Sequence, residues 1–371
     1  MKIVHVTSSL VKKSAGVGEV VKALSHQQTD LGFDVTVLGL DHPDWELEKE
    51  EWSGVKTILV PVFGPRKLGY AAHMEQVLEE LQPDIVHLHG LWMHPGRSVL
   101  KWHRKTNRPF ILSPHGMLSK VALSYSKIKK YLISALFQNE VMANASAFHA
   151  TSNAEIIEIK DYGIKSKIYE ISNGIHEQIP LNGDYSKTDK TIISLGRVHR
   201  KKALDQLILA WKKIEQEFPE WSVRIIGPSE GGEDTRLLSL IKDIDVSRVT
   251  VEGPVYGTDK IKIMSDASIF ALPTYSENFA LTVAESLMLE VPVISSHGAP
   301  WEGLELEKCG LWVPVGSDSM AEALKKLMLL NDSDRHEMGI RGRNWMIRDF
   351  SWSTIAEKFI VSYKDIIKDK L

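Results

Sequence analysis

The amino-acid sequence predicts an α/β protein made of two doubly wound, Rossmann-like halves. Three observations carry that reading. Short apolar runs that do not alternate, such as Ile85–Leu88 and Ser268–Leu272, recur along the chain and are separated by helix-length segments. Runs of that kind form parallel sheets covered by helices on both faces. At 371 residues the chain is too long for one comfortable core. A polar stretch from Asn173 to about Lys190, with Pro180 and Gly183 and no helical period, divides two such series and reads as a linker.

In chain order, the first half gives a strand over Lys2–Thr7, a loop, and a helix from about Val17 to Leu31. Asp34–Leu38, Ile58–Pro61, Ile85–Leu88, Pro109–Ser113 and Ala147–Thr151 follow as strands. Between the last two, Lys120–Val141 reads as an amphipathic helix, with Val121, Tyr125, Ile128, Leu132 and Leu136 on one face and Lys120, Lys127 and Lys130 opposite. Such a face packs on a core or rests on anionic lipid. The second half gives strands over Thr191–Leu195, Ser222–Ile226, Arg248–Glu252, Ser268–Leu272 and Val291–Ser295. Helices fill the intervals, near Ala203–Glu215, Thr235–Asp243, Thr258–Asp266 and Ala280–Leu289, and Ser317–Leu330 and Asp334–Asp349 extend the series. The last helix, about Ser353–Lys370, carries Ile355, Phe359, Ile366 and Ile367 for packing against a neighbour.

Composition narrows the class. A hydrophobic content of 43% with 25% charged residues is that of a globular protein. A net charge of -3 gives no overall pull toward nucleic acid. Cys309 is the one cysteine, which excludes an internal disulfide and fits a reducing compartment. Met1–Ser9 is too short and interrupted for a signal peptide, and no apolar run approaches the ~20 residues of a membrane span. The expectation is a cytoplasmic protein, with any membrane contact peripheral and at the inner face.

The most informative residues are Glu277 and Glu285. The first lies in a loop after the strand ending at Pro273, and the second lies inside the helix that begins near Ala280. A helix N-terminus offers free N–H groups and partial positive charge, which attract phosphate. Two acids there need other partners, and sugar and ribose hydroxyls suit them. Gly196-Arg197-Val198-His199-Arg200-Lys201-Lys202 follows the strand Thr191–Leu195. Arginine supplies a bidentate fork and lysine a point charge for a diphosphate, although a solvated basic turn has the same composition. Ser14-Ala15-Gly16-Val17-Gly18 allows close backbone approach to a phosphate, or marks only a tight turn. It is not a dinucleotide fingerprint, because Val21 replaces the third glycine and Asp41 lies beyond the ribose position. His87, His89, His94 and His115 follow or end strands. Their spacing is not that of a helical metal pair. His115 ends a strand at the expected ligand edge, where it hydrogen-bonds a substrate or caps the turn.

With these residues in hand, the chain resembles the retaining glycosyltransferases of family GT4, with the GT-B fold, over nearly its whole length. The most specific part is the E-x7-E element Glu277–Glu285, with Pro273 before it and Pro292-Val293-Ile294 after it. Gly196-Arg197 with Lys202, Pro83-Asp84-Ile85-Val86-His87-Leu88-His89-Gly90 and Ser172-Asn173-Gly174-Ile175 stand in the matching order. The resemblance implies two Rossmann-like domains facing across a cleft: residues 1–175 for the acceptor, 187–350 for the nucleotide-sugar donor, and the helix from about 353 to 371 returning to the first.

It also implies roles. Arg197 and Lys202 hold the donor diphosphate, and Glu285 the ribose. Glu277 holds the donor sugar with backbone N–H groups of Phe279, Ala280 and Leu281. Gly16 approaches the distal phosphate, His115 stands beside the sugar, and Val255 borders the base. The implied substrates are a UDP- or GDP-sugar and a glycan or polyprenyl-linked acceptor, with neither cofactor nor metal. Ala203 and Ala280 replace usual glycines, and His176 a usual aspartate. Pro300-Trp301-Glu302 and Cys309-Gly310-Leu311-Trp312 resemble a surface-polysaccharide branch such as lipopolysaccharide or capsule assembly. Two other readings use the same residues: a GT-B-like epimerase or hydrolase acting on a nucleotide sugar alone, and a non-catalytic nucleotide-sugar-binding subunit.

Overall fold

A computed structural model describes residues 1–11, 17–175, 190–277 and 279–370, with the side chain of Val121 excepted. The chain divides into two compact units, one formed by Met1–Gly174 with the chain from Trp352 onward, the other by Ile175–Ser351.

Among the described residues the first unit holds a parallel sheet of seven strands: β1 (Lys2–Val6), β2 (Asp34–Leu40), β3 (Lys56–Val60), β4 (Ile85–His89), β5 (Phe110–Ser113), β6 (Ala147–Ala150) and β7 (Lys167–Glu170). Their spatial order is β3-β2-β1-β4-β5-β6-β7. The second unit repeats the plan with β8 (Lys190–Leu195), β9 (Trp221–Ile226), β10 (Val249–Glu252), β11 (Ile269–Leu272), β12 (Val293–Ser296) and β13 (Gly310–Val313), in the order β10-β9-β8-β11-β12-β13. Each sheet reverses its winding once, between β1 and β4 and between β8 and β11. Ligands of open α/β sheets bind outside the carboxyl ends of the strands at that reversal.

The central strands form because both faces are covered: every residue of β4, β5 and β11 is buried. The helix Trp352–Lys368 returns to the first unit, burying Ile355, Phe359, Tyr363 and Ile366 against Ile3, Leu24, Ile85 and Ile111. Each such side chain contributes about 1.5–3 kcal/mol. Gly174 permits this return, since a Cβ there would stand 2.3 Å from the Trp352 ring.

Two sequence expectations change. The continuous amphipathic helix over Lys120–Val141 is broken into helices Lys120–Ser124 and Lys127–Ile133, a π-helical turn Ser134–Gln138, and helix Asn139–Asn144. The break falls at Ser126, whose φ of 52° is left-handed. Phe137 and Val141 at the segment's end pack on the core, but Tyr125, Ile128, Leu132 and Leu136 of the expected apolar face are all more than half exposed. The edge strands β7 and β13 were not foreseen. Both are partly exposed and lack the buried apolar run that marks the inner strands. Most of the expected linker, and the phosphate-loop segment Ser14-Ala15-Gly16, lie outside the described residues.

Candidate functional site

Two loops meet at the reversal of the second sheet. One runs from β8 through Gly196 to Lys202, the other from β11 through Pro273 to Ala280, and β8 and β11 pair in parallel with Phe270 opposite Ile193. Backbone bonds fasten them: Tyr275 N donates to Lys201 O at 2.9 Å, and Glu277 N to Gly298 O at 2.7 Å. The Lys202 ammonium then stands 2.7 Å from Glu277 Oε1, with both side chains about 85% buried. The Thr274 hydroxyl lies 3.0 Å from the same carboxylate oxygen. A lysine and a glutamate so enclosed hold each other in one geometry, and both can turn to the oxygens of a ligand.

Glu285 lies on the helix Leu281–Met288 and accepts from Lys260 at 2.6 and 2.7 Å. Sequence reasoning missed Lys260, which sits far off in sequence on the helix Gly257–Asp266. Arg197 points outward, two-thirds exposed, and pairs with Glu230 at 2.8 Å. Arg197, Lys202, Glu277 and Glu285 therefore stand in ion pairs rather than as free cations and free acids. Phe279 is a core residue, 5.1 Å from the Trp301 ring, and its carbonyl accepts from Trp301 Nε1 at 2.6 Å. Leu281 is exposed, and Val255 packs against the core below.

Ala280 immediately precedes the helix, with φ 64° and ψ 68°. Ala203 stands likewise at φ 51° before the helix Leu204–Ile214. Both departures from glycine thus fall on left-handed residues, where a Cβ costs roughly 1–2 kcal/mol. The need for left-handed backbone is the physical reason glycine suits both places.

The chain holds two Asp-x-Asp triplets that the sequence reading passed over. Asp243-Ile244-Asp245 closes the helix Glu233–Asp243 and precedes β10, at the opposite sheet edge from Lys202. In Asp332-Ser333-Asp334, Asp332 is bound by Arg335 within its own helix.

In the first unit, the carboxyl ends of the strands carry a buried array of histidines. His5 of β1 lies opposite His87 of β4 in register. His5 Nδ1 is 2.9 Å from His89 Nε2, and His89 Nδ1 is 3.0 Å from His115 Nε2. His5 Nε2 meets Gln28 Oε1 at 2.7 Å. A second line runs from Tyr363 through His87 and Ser113 to His149 and the Ile171 carbonyl, every step 2.6 or 2.7 Å. Burial pushes His5 down to about 4, against its bond to the Gln28 carbonyl oxygen. Burial does the same to His115, also to about 4, with His149 adding to it and Glu155 opposing. His87 and His89 are held well below the ordinary value by burial and neighbouring imidazoles. All four are neutral near pH 7.

Candidate ligand nitrogens of His5, His87 and His89 lie within 4.8 Å of one another. They are already engaged in these hydrogen bonds, so a cation there would have to break them. His94 stands apart, accepting from Ala71 N at 3.4 Å. Sequence reasoning missed His5 and His149, because strand histidines reveal their neighbours only once the strand order is known. His115 is left-handed, at φ 53°. Buried Glu155 fixes its turn by accepting from Gly116 N at 2.6 Å and from Thr151 N at 2.8 Å. Next to the array lies a cavity of about 100 Å³ lined by Thr7, Ser9, His89, Gly90, Met93 and Met117, among others.

Residues 14–178 match the family model described as Glycosyltransferase Family 4, and residues 178–345 match Glycosyl transferases group 1. Side by side, the two define the chain as a glycosyltransferase of family 4 type with the GT-B fold. An uncharacterised glycosyltransferase of Methanocaldococcus jannaschii is 24% identical over 89% of both chains. A GDP-mannose-dependent alpha-(1-6)-phosphatidylinositol monomannoside mannosyltransferase of Mycobacterium tuberculosis is 32% identical, over 45% of this chain and 46% of its own. Other matches are partial too: the chain spans 52% of an uncharacterised Haemophilus influenzae glycosyltransferase. Among solved structures, Anabaena HepE in complex with UDP and glucose superposes with a TM-score of 0.72, over 98% of this chain and all of its own, at 16% identity.

Proposed function

We propose that the protein moves a hexosyl unit from a nucleoside-diphosphate sugar to a sugar hydroxyl of a glycan or polyprenyl-linked saccharide, with retention at the anomeric carbon and without a metal. The observation that carries this is the convergence of Lys202 and Glu277 beside the start of the helix Leu281–Met288, at the winding reversal of the second sheet. As the sugar–phosphate bond breaks, negative charge gathers on the leaving oxygen and positive charge on the anomeric carbon. Lys202, Arg197 and the helix N–H groups supply fixed positive potential to the diphosphate. Glu277 orients the sugar, and Glu285 takes the ribose hydroxyls in place of Lys260. The acceptor oxygen attacks from the leaving-group face, and its proton passes to the departing phosphate. Gly16 would add backbone contact to the distal phosphate, and His115 a hydrogen bond to a sugar hydroxyl.

UDP and GDP are the nucleotides proposed, since HepE was solved with the first and the mycobacterial relative depends on a GDP-sugar. A thermal-shift series against UDP-, GDP- and ADP-sugars tests this: a donor at a hundred times its Kd stabilises the fold by about 2.7 kcal/mol. Glu285→Ala should remove most of the shift given by the preferred nucleotide. An unchanged shift would make Glu285 a structural partner of Lys260. Full turnover of the donor with no acceptor present would favour the epimerase or hydrolase reading. Tight donor binding with no transfer to any acceptor would favour the non-catalytic one.

We further propose that segment 120–141 rests on an anionic membrane at the cytoplasmic face. Ile128, Tyr131, Leu132 and Leu136 are exposed among Lys127, Lys129 and Lys130, and no acidic residue lies between Met117 and Asn139. The apolar side chains bury in the interface and the lysines meet lipid phosphate. Flotation should show binding to vesicles with anionic lipid and its loss in Ile128→Ser with Leu136→Ser. Equal recovery with neutral vesicles would refute the charge-based part of this contact.

A further inference from the structure

We infer that Gln28 and His5 are positioning residues for His115: through a chain of buried imidazoles they hold its proton on Nε2 and leave the Nδ1 lone pair for a sugar hydroxyl. The directions follow from counting donors. A backbone carbonyl only accepts, so His149 must donate from Nε2 to Ile171 O. A neutral imidazole has one N–H, so His149 Nδ1 accepts from the Ser113 hydroxyl. That hydroxyl has no second proton, so it accepts from His87 Nε2. His87 Nδ1 is then bare and accepts from the Tyr363 hydroxyl. Having spent its proton on His87, Tyr363 is left with acceptor capacity only, and this line ends there.

The line that reaches His115 begins at the Gln28 amide. Gln28 presents Oε1 to His5, which must donate from Nε2. His5 Nδ1 therefore accepts from His89 Nε2, and His89 Nδ1 accepts from His115 Nε2. One amide oxygen, on Gln28, thus dictates every proton as far as His115. Had the amide been reversed, each bond from His5 onward would run the other way and His115 would offer a donor. Among the described residues His115 Nδ1 has no hydrogen-bond partner, and the ring is partly exposed. A sugar hydroxyl can donate to a bare nitrogen there while its oxygen still accepts from elsewhere. That last step rests on the proposed glycosyl transfer, whereas the tautomer itself does not.

Nitrogen-15 NMR of the histidine side chains in the full-length protein tests it, with His115 assigned by the signal lost in His115→Gln. The expected result is a neutral His115 protonated on Nε2. An Nδ1–H tautomer or an imidazolium would overturn the inference. Gln28→Met keeps the volume and removes the acceptor, so the His115 signal should move toward a tautomer mixture. In that variant kcat/KM should fall by up to about tenfold, the worth of one hydrogen bond, with nucleoside diphosphate affinity unchanged. An unaltered His115 signal in folded Gln28→Met would remove Gln28 from the relay. If the protein transfers no sugar, the spectra still decide the tautomer.

Discussion

Lys202→Ala is expected to lower turnover by about 10²–10³-fold, the loss seen when one preorganised donor to a developing oxyanion is removed. The magnitude follows from its surroundings. Lys202 is mostly enclosed and 2.7 Å from Glu277, so its charge is little screened by water and its position is fixed before substrate arrives. Arg197 contributes less by the same reasoning, being two-thirds exposed and paired with Glu230. Truncating Lys202 also leaves Glu277 uncompensated beside the diphosphate, which adds repulsion to the lost attraction. The double variant Lys202→Ala with Glu277→Gln separates the two: relief of the repulsion should recover nucleotide binding while turnover stays low. Single-turnover kinetics at saturating donor makes the measurement, and near wild-type rates in Lys202→Ala would end the diphosphate assignment.

The course of the chain explains why part of this site could be read in the sequence. β8 and β11 show as unbroken apolar runs because helices cover them on both sides, and each is followed by a polar loop whose residues differ from those of an ordinary turn. Lys202 and Glu277 could thus be set at the same edge of one sheet before any coordinates, and the pairing of β8 with β11 makes them neighbours. Lys260 could not be set beside Glu285, since its helix follows β10, and the spatial order β10-β9-β8-β11 is not written in the chain. The histidine array was hidden for the same reason: its members come from β1, β4, β6 and the loop after β5. Segment 120–141 misled because its period is helical, while the break depends on one left-handed residue, Ser126, that a hydrophobic pattern does not report.

Gly298→Ala should damage the site from outside it. A Cβ on Gly298 would fall 2.1 Å from Thr274 O and 2.7 Å from Tyr275 C, both backbone atoms that cannot swing aside. The loop carrying Glu277 must therefore move, and the bond from Glu277 N to Gly298 O must lengthen. Overpacking of this kind costs about 1–3 kcal/mol of stability, which a lowered melting temperature would register. The functional loss should be larger than the structural one, because a misplacement of about 1 Å at a reacting centre can cost 10²-fold. Nucleoside diphosphate affinity should change little, since Glu285 stands on the helix beyond the displaced loop and keeps its own anchor. The signature is thus a fall in kcat/KM for the intact donor with nearly normal binding of the nucleotide alone. A variant that melted and turned over as the wild type would show that the loop tolerates the shift, and would detach Glu277 from the sugar.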